Sequence, residues 1–514
     1  MTAVALPGLA GRSAGFHRAA ITVSVMMATV IQVLDNTIAN VALPSMRGSL
    51  SASQEEIAWV LTSYIVATAI ATPATGYLAG RFGRKRLFIV SVAGFVAASM
   101  LCGAAPSLEV LVLARILQGA SGAALIPLSQ SVLLDSYPRE RHGSAMAIWG
   151  MGVMAGPILG PTIGGYITEL YGWRWVFYIN LPVGIVTLLG LWVFLPETAR
   201  DRQRSFNWFG FTVLALGIGA LQAVLDRGEV KGWFDSTEIV VEAFLAALGL
   251  YMFLVHMGTG ARPFLTPALF RDRNFVVGLI VMPLTSVTLM ASVVLMPPFL
   301  EDLQGYPAYM VGYLMMPRGF GNLVALVVAG RLVGRVDSRS IILAGLVCAA
   351  VGAYYMTRFT IEVEAWPVLW TGFVQGFGLG LIWVPLSTLA FATLEPRLRT
   401  EATSIFSLVR NTGASIGISY VIAVLGKSMQ ANRAEMAAQV STLNPLYQAP
   451  FLPPTWSLVD PAGLAAIDAE IVRQATMIGY LNDFVILTYT PLVAIPLLFF
   501  FKSDRRPVPA RPVP

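Results

Sequence analysis

Charged side chains are scarce in this chain: Asp, Glu, Lys and Arg together make up 12% of 514 residues, while 56% are hydrophobic. A soluble domain carries about 25% charge, because polar groups must cover its packed core. A soluble enzyme is therefore excluded, and so is a disordered chain, which needs low hydrophobicity and high charge. Cysteine is nearly absent. Cys102 and Cys348 lie far apart in apolar stretches, so the chain has neither a disulfide framework nor a CxxC metal site. His17, His142 and His256 are equally scattered. Catalytic motifs are missing too, with no HExxH, no GxxxxGK[ST] and no GxGxxG opening a βαβ unit. The stretches 11–15 and 413–417 match GxSxG, but one lies in a polar tail and the other in an apolar helix, and neither follows a strand. The chain is expected to be no enzyme and to need no cofactor.

Long apolar runs are what the sequence has in abundance. About 20 residues cross roughly 30 Å of hydrocarbon, and runs of that length fall near 19–43, 56–79, 87–106, 108–134, 144–168, 175–195, 208–226, 237–257, 274–296, 309–330, 340–359, 365–390, 402–425 and 480–501. Only helices and closed barrels satisfy the backbone in lipid, and no ten-residue alternation repeats, so the expected fold is an all-α membrane protein of fourteen spans. An even number puts both termini on one side. Most of the 34 Lys and Arg fall on that side, with Arg81, Arg84, Lys85 and Arg86 the densest group, so both termini are expected in the cytoplasm. The net charge of +6 thus reflects topology and gives no reason to invoke nucleic acid. The first span has no small-residue cleavage site at a suitable distance and reads as a retained anchor.

The chain repeats itself. Gln118-Gly119 with Pro127-Leu128-Ser129 returns as Gln375-Gly376 with Pro385-Leu386-Ser387; Gly156 and Gly160 return as Gly413 and Gly417; Gly80-Arg81 and Gly83-Arg84 return as Gly330-Arg331 and Gly334-Arg335. Spans one to six (1–195) are therefore expected to be repeated in the same orientation by spans nine to fourteen (274–514), with spans seven and eight (196–273) inserted between. Parallel repeats of this kind rock around a midplane cavity and expose it to each side in turn.

Few polar residues lie deep in the spans. Asp35 is the acid well inside span one, where a carboxylate costs about 2.5–3.5 kcal/mol on insertion scales. It is expected to face water or a partner. Gln32, Asn36 and Asn40 share its stripe with Thr22 and Thr29. An apolar surrounding favours the neutral carboxyl, so Asp35 could load and release a proton as hydration changes; the competing reading is a structural acid paired to a neighbouring helix. Arg115, with Gln118 on its face in span four, needs an acceptor, for which Asp35 and backbone carbonyls are the candidates. It either relays protons or only orients helices. Arg410 and Asn411 in span thirteen are further cavity or gate candidates. Span five spaces Gly152, Gly156, Gly160 and Gly164 by four, with Gly165, Pro157 and Pro161 interleaved, which predicts a tightly packed, kinked helix between the halves. After span two, the loop 76–86 carries Gly76, Gly80, Arg81, Gly83 and Arg84, and serves either topology alone or a charged latch.

These elements together resemble the fourteen-span drug:proton antiporters of the major facilitator superfamily, among them the EmrB-type inner-membrane pumps. The resemblance covers essentially the whole chain and rests on the stretch from Leu34 to Pro44, the loop 76–86, Arg115 to Gly119, Gly156-Pro157 to Gly164-Gly165, Trp173-Arg174-Trp175 through Asn180-Leu181-Pro182, and Leu225 to Glu229. It implies proton influx coupled to export of hydrophobic compounds across a bacterial inner membrane, with Asp35 carrying the proton and Arg115 assisting. It also implies a periplasmic adaptor protein and an outer-membrane channel as partners. One position departs: the family's loop commonly has Asp where this chain has Gly80, which puts the usual latch ion pair in doubt. The external segment 427–479 reads as two short amphipathic helices around a proline-rich turn at 450–454, serving as a docking surface or as a lid. The Pro/Arg stretch from Arg505 reads as a disordered end.

Three functions are open at this stage: a proton-driven exporter of many hydrophobic drugs; an exporter of one metabolite such as a siderophore, fatty acid or antibiotic; and a transport-inactive membrane receptor or scaffold. Insertion of Asp35 and Arg115 at depth argues against the last, which gains nothing from their cost.

Overall fold

The computed structural model describes residues 7–198, 200–201, 205–260, 263–441, 444, 453 and 455–502, the side chains of 7–14, 157–158 and 308–309 excepted. The ring of Pro157, most of the 450–454 turn and the stretch from Arg505 thus lie outside the described residues. The chain is helical throughout. In order come α1 (Pro7–Leu50), α2 (Gln54–Ala71), α3 (Ala74–Phe82), α4 (Arg84–Ala104), α5 (Leu108–Gly122), α6 (Leu125–Ser136), α7 (His142–Tyr171), α8 (Trp175–Tyr178), α9 (Asn180–Phe194), α10 (Trp208–Arg227), α11 (Thr237–Thr259), α12 (Ala268–Arg271), α13 (Arg273–Pro298), α14 (Ala308–Leu332), α15 (Ser338–Met356), α16 (Ala365–Ala392), α17 (Arg399–Ala438) and α18 (Pro461–Ala494). Thirteen helical segments are long and apolar enough to span a bilayer, and the bent pair α2 and α3 makes a fourteenth.

Local chemistry sets the ends and breaks of these helices. α2 starts on a reciprocal cap, in which Glu56 N donates to Ser53 Oγ at 3.2 Å and Ser53 N donates to Glu56 Oε2 at 2.8 Å. It bends by 57° into α3 where Pro73, lacking an N–H, interrupts the ladder. Asn207 and Asp272 cap α10 and α13 through their side chains.

Two sets of six spans repeat one packing scheme. A Cβ on Gly156 or Gly160 of α7 would lie 2.4 Å from Val33 or 2.2 Å from Thr37 of α1. In the second set, a Cβ on Gly413 or Gly417 of α17 would lie 2.7 Å from Pro283 or Val287 of α13. Only glycine permits backbones this close. The seam differs from the sequence expectation in one respect: the stripe Gly152 to Gly164 packs on α1 of its own six spans. The contact between the two sets is made by the first turns of the same helix, where Gly143 meets Val333 and Gly150 meets Leu326 of the α14 region. Spacing identifies the face of a helix but not the neighbour that covers it.

Arg273 at the start of α13 donates to the Phe500 carbonyl, and the rings of Phe16 and Phe194 meet at 6.1 Å, so the first and last spans begin and end on one face, called the terminal face. There the two sets converge. α6 is buried from Leu125 to Leu134, and α17 from Arg399 to Ser407. Toward the opposite face burial loosens, with Leu159 and Tyr166 of α7 and Tyr313, Met316 and Phe320 of α14 exposed. The inserted helix α10 lies against both sets: Thr62 of α2 donates to its Asp226, and its Gln222 donates to Ser415 of α17 at 2.8 Å.

Beyond the opposite face, α17 and α18 continue as long projections, and Arg433 pairs with Asp468 between them at 2.9 Å. The sequence suggested separate short helices here. Instead no proline interrupts 426–438 or 462–480, so the spans run on without a break, α17 by about 20 Å at 1.5 Å per residue.

The glycine seam predicts a selective effect of bulk. Gly156→Leu should destabilise the detergent-solubilised protein by about 1–3 kcal/mol, read as a lower melting temperature. Gly165→Leu, whose Cβ meets nothing within 4 Å among the described residues, should melt like the parent.

Candidate functional site: a buried charge network beside an interhelical latch

Asp35 is 1% exposed and Arg115 is fully buried. α1 carries the acid, α5 the base, and the break between α8 and α9 brings Asn180 inward as the first residue of α9. Asp35 accepts three hydrogen bonds: from Arg115 Nη1 at 2.7 Å, from Gln118 Nε2 at 2.9 Å and from Asn180 Nδ2 at 2.6 Å. Arg115 is fixed in turn. Its Nη1 also donates to Gln118 Oε1 at 2.7 Å, its Nε donates to the Val60 carbonyl of α2 at 3.0 Å, and its guanidinium lies 4.1 Å from the Tyr64 ring centre. Ser99 of α4 supports Asn180, accepting from its Nδ2 at 2.9 Å and donating to the Phe177 carbonyl at 2.9 Å. Three helices therefore meet at the carboxylate itself, and α2 and α4 join through Arg115 and Asn180.

Three donors point at the Asp35 carboxylate, the Arg115 guanidinium among them. Burial makes that charge indispensable to Arg115, since losing one partner of a buried pair costs about 3–5 kcal/mol. A proton arriving on Asp35 would cancel the charge and set Arg115 loose. The arrangement ties the packing of these helices to the Asp35–Arg115 pair.

Of the cavity candidates, Gln118 belongs to this network. Gln32 is buried one turn earlier on α1, Asn36 is half-buried and Asn40 is exposed. Arg410 and Asn411 sit elsewhere. Arg410 faces a stacked pair of indoles, Trp149 of α7 and Trp383 of α16, whose centres are 5.9 Å apart at 13°; its guanidinium is 6.0 and 5.6 Å from them. Trp149 Nε1 donates to Ser129 at 2.9 Å, and Arg410 Nε donates to Asn411 at 3.1 Å. This stack joins the two sets of six spans and borders a small void between α7, α13, α14 and α16.

Below the stack the terminal face is latched. Asp135 at the end of α6 accepts from both Arg84, at the start of α4, and Arg399, at the start of α17. Thr403 donates to the Pro127 carbonyl at 3.0 Å alongside. A Cβ on Gly76 would lie 2.7 Å from Glu401 Cα, so that loop glycine is held against α17. Gly80 has no side chain to offer, and its carbonyl accepts from Asp201 N at 2.9 Å. The acid joining the two sets comes from span four, 55 residues beyond the position where the loop pattern suggested one. Asn180, Ser99, Asp135 and Arg399 were not picked out from sequence; for Asn180 and Asp135 the signal was a polar residue at the end of an apolar span.

A family model described as the Major Facilitator Superfamily matches residues 25–418. The chain belongs to that superfamily. It is 35% identical over 490 residues to the multidrug export protein EmrB of Escherichia coli strain K12, covering 94% of each chain. It is 34% identical to the fatty acid resistance protein FarB of Neisseria gonorrhoeae, covering 94% of this chain and 96% of the relative. The proton:xylose symporter XylE shares the fold, with a TM-score of 0.64 at 13% identity over 96% of this chain and 97% of that one. This major facilitator protein is a multi-pass membrane transporter and no enzyme.

The network predicts coupling between its charges. Arg115→Gln alone, leaving Asp35 charged and buried, should cost about 3–5 kcal/mol. Asp35→Asn with Arg115→Gln should cost clearly less than the two single changes added together, measured by melting in detergent. Strict additivity would show that the two side chains do not interact.

Proposed function

We propose that this transporter is a proton-driven antiporter that exports hydrophobic drugs and toxic compounds across a bacterial inner membrane. The 35% identity to EmrB over nearly the whole chain supports the cargo class, and the excess of Lys and Arg on the terminal face supports placing both termini in the cytoplasm. The observation that carries the coupling is the Asp35 carboxylate itself, buried and bonded to donors from α5 and α9.

The cycle follows from that geometry. With Asp35 ionised, α1, α2, α4, α5 and α9 are drawn together and the cytoplasmic latch at Asp135 is closed. A proton entering from the outer face neutralises Asp35 and leaves Arg115 without its counter-charge. One proton moving down 100 mV supplies about 2.3 kcal/mol, less than the cost of an unpaired buried Arg115. The packing must therefore open and let water in, and the two six-span sets (1–195 and 274–514) rock to expose the cavity to the cytoplasm. Proton release there restores the pair, and the cavity returns outward with its cargo. No cofactor takes part, the proton gradient being the energy source. The projecting ends of α17 and α18 offer an outer docking surface for an adaptor protein, through which an outer-membrane channel would be reached.

A second reading narrows the cargo to one amphipathic acid. Arg318 and Arg410 have no carboxylate partner among the described residues, and Arg318 Nη2 reaches only the Leu289 carbonyl at 3.1 Å. The likeness to FarB supports the same reading.

In proteoliposomes with an imposed pH gradient, a panel of dyes and antibiotics should show uphill movement of many unrelated compounds. Movement of a single acid would favour the second reading. Asp35→Asn should remain folded and inserted but lose uphill export; pumping at the parent rate would remove Asp35 from the mechanism.

A further inference from the structure

A second carboxyl lies deep in the protein, and nothing in the mechanism above uses it. Asp483 on α18 is 0% exposed, and neither of its oxygens has a hydrogen-bond partner among the described residues. Tyr480 and Leu487, on the same helical face, and the adjacent Phe484 are also buried. Tyr480 and Phe484 pack on Phe299 with ring centres 5.2 and 5.7 Å away, and Phe359 closes the cluster at 5.9 Å from both Phe299 and Phe484.

The ionisable groups on the elements around α18 do not neutralise it. Glu301 and Asp302 of the adjoining turn and Lys427 of α17 are exposed, Arg410 faces the two indoles, and Cys348 is the group that α15 brings to the middle of its span. The Tyr480 phenol, three residues earlier on α18, is buried on the same face of the helix. An ionised carboxylate with no donor in such a cluster is too costly to persist, so the group is the neutral acid.

A second observation gives the proton a way in. Directly after α13, residues Phe299–Leu303 form a π-helical turn, following Pro297 and Pro298. Such turns are uncommon and are frequently found at functional sites. Phe299, the first residue of this turn, is the ring that covers Tyr480 and Phe484, while Asp302 within it reaches solvent at the outer face.

We propose that Asp483 is a second proton-binding site, loaded as the neutral acid in this conformation and discharged when the π turn shifts and admits water. The O–H bond forms with a proton drawn from the outer aqueous phase past Asp302 and Tyr480, and the same proton returns to water on release. Asp35 would then carry one proton and Asp483 another, a view that rests on the proton-driven reading of function.

Two measurements test it separately. Infrared difference spectra of the purified full-length protein should show the C=O stretching band of a protonated carboxyl at neutral pH, lost in Asp483→Asn and kept in Asp35→Asn. Persistence of the whole band in Asp483→Asn would overturn the proposal, whatever drives transport. Asp483→Leu serves as a second variant: an unpaired acid in an apolar cluster predicts a melting temperature no lower than the parent, and a marked fall would reveal a hidden partner and also overturn it. In proteoliposomes held at zero membrane potential with a pH difference of about one unit, each coupled proton supports a tenfold gradient. The maximal ethidium accumulation should therefore fall about tenfold in Asp483→Asn, and an unchanged ratio counts against the second site. If the parent fails to respond to the pH gradient at all, the proton-driven function is wrong, while the infrared result still decides the state of Asp483.

Discussion

The ion pair between Asp35 and Arg115 sets the terms for the rest of the molecule. At essentially zero exposure, neither charge can be solvated by water, so each depends on the other and on the few dipoles aimed at them. Those dipoles come from Gln118, Asn180 and the Val60 carbonyl, on separate helices. Changing the charge of Asp35 therefore acts on the packing of the first six spans as a unit. Few other single-atom changes could do so in a protein interior that is close-packed and resists small continuous adjustment.

Transmission from the pair to the remaining spans runs through α7. Its second half is seamed to α1 by glycine contacts at Val33 and Thr37, beside Asp35, and its first turns pack on α14 and carry Trp149 against Trp383. One continuous helix thus touches the acid-bearing helix at one end and the other six-span set at the other. The Asp135 bridge to Arg84 and Arg399 secures the same end of the molecule. Asp135 and Arg84 are partly exposed, which weakens their arm of the latch relative to the fully buried Asp35–Arg115 pair, whereas Arg399 is itself buried.

Much of the architecture could be read from sequence because lipid leaves so few options. Apolar runs of span length, a repeat near 257 residues and the clustering of Arg and Lys fix helices, symmetry and a charged face without tertiary information. The partnership of Arg115 with Asp35 was readable for a similar reason, the scarcity of acids at depth. Ser99 was hidden, since one hydroxyl in an apolar span carries no signal until folding brings α4 beside α9, and Asn180 stood out only as a polar residue of a family motif, without a partner. Asp135 was not legible because the loop pattern points to Gly80, whereas the latch needs only an acid at the same height, and the end of span four supplies it. The glycine stripe of α7 announced close packing but not its partner, and the helical run past Lys427 was masked by a composition that also suits short surface helices.

The claim that the charge of Asp35 governs the rocking of the two six-span sets is tested most directly by a distance. Spin labels at the exposed positions Glu140 and Arg335 flank the terminal face across the two sets. In the parent protein, lowering the pH should add a longer-distance population as the latch opens. Asp35→Asn, fixed in the uncharged form, should show that longer population already at neutral pH and no further response to acid. A variant that keeps the parent's short distance and the parent's pH response would contradict the claim.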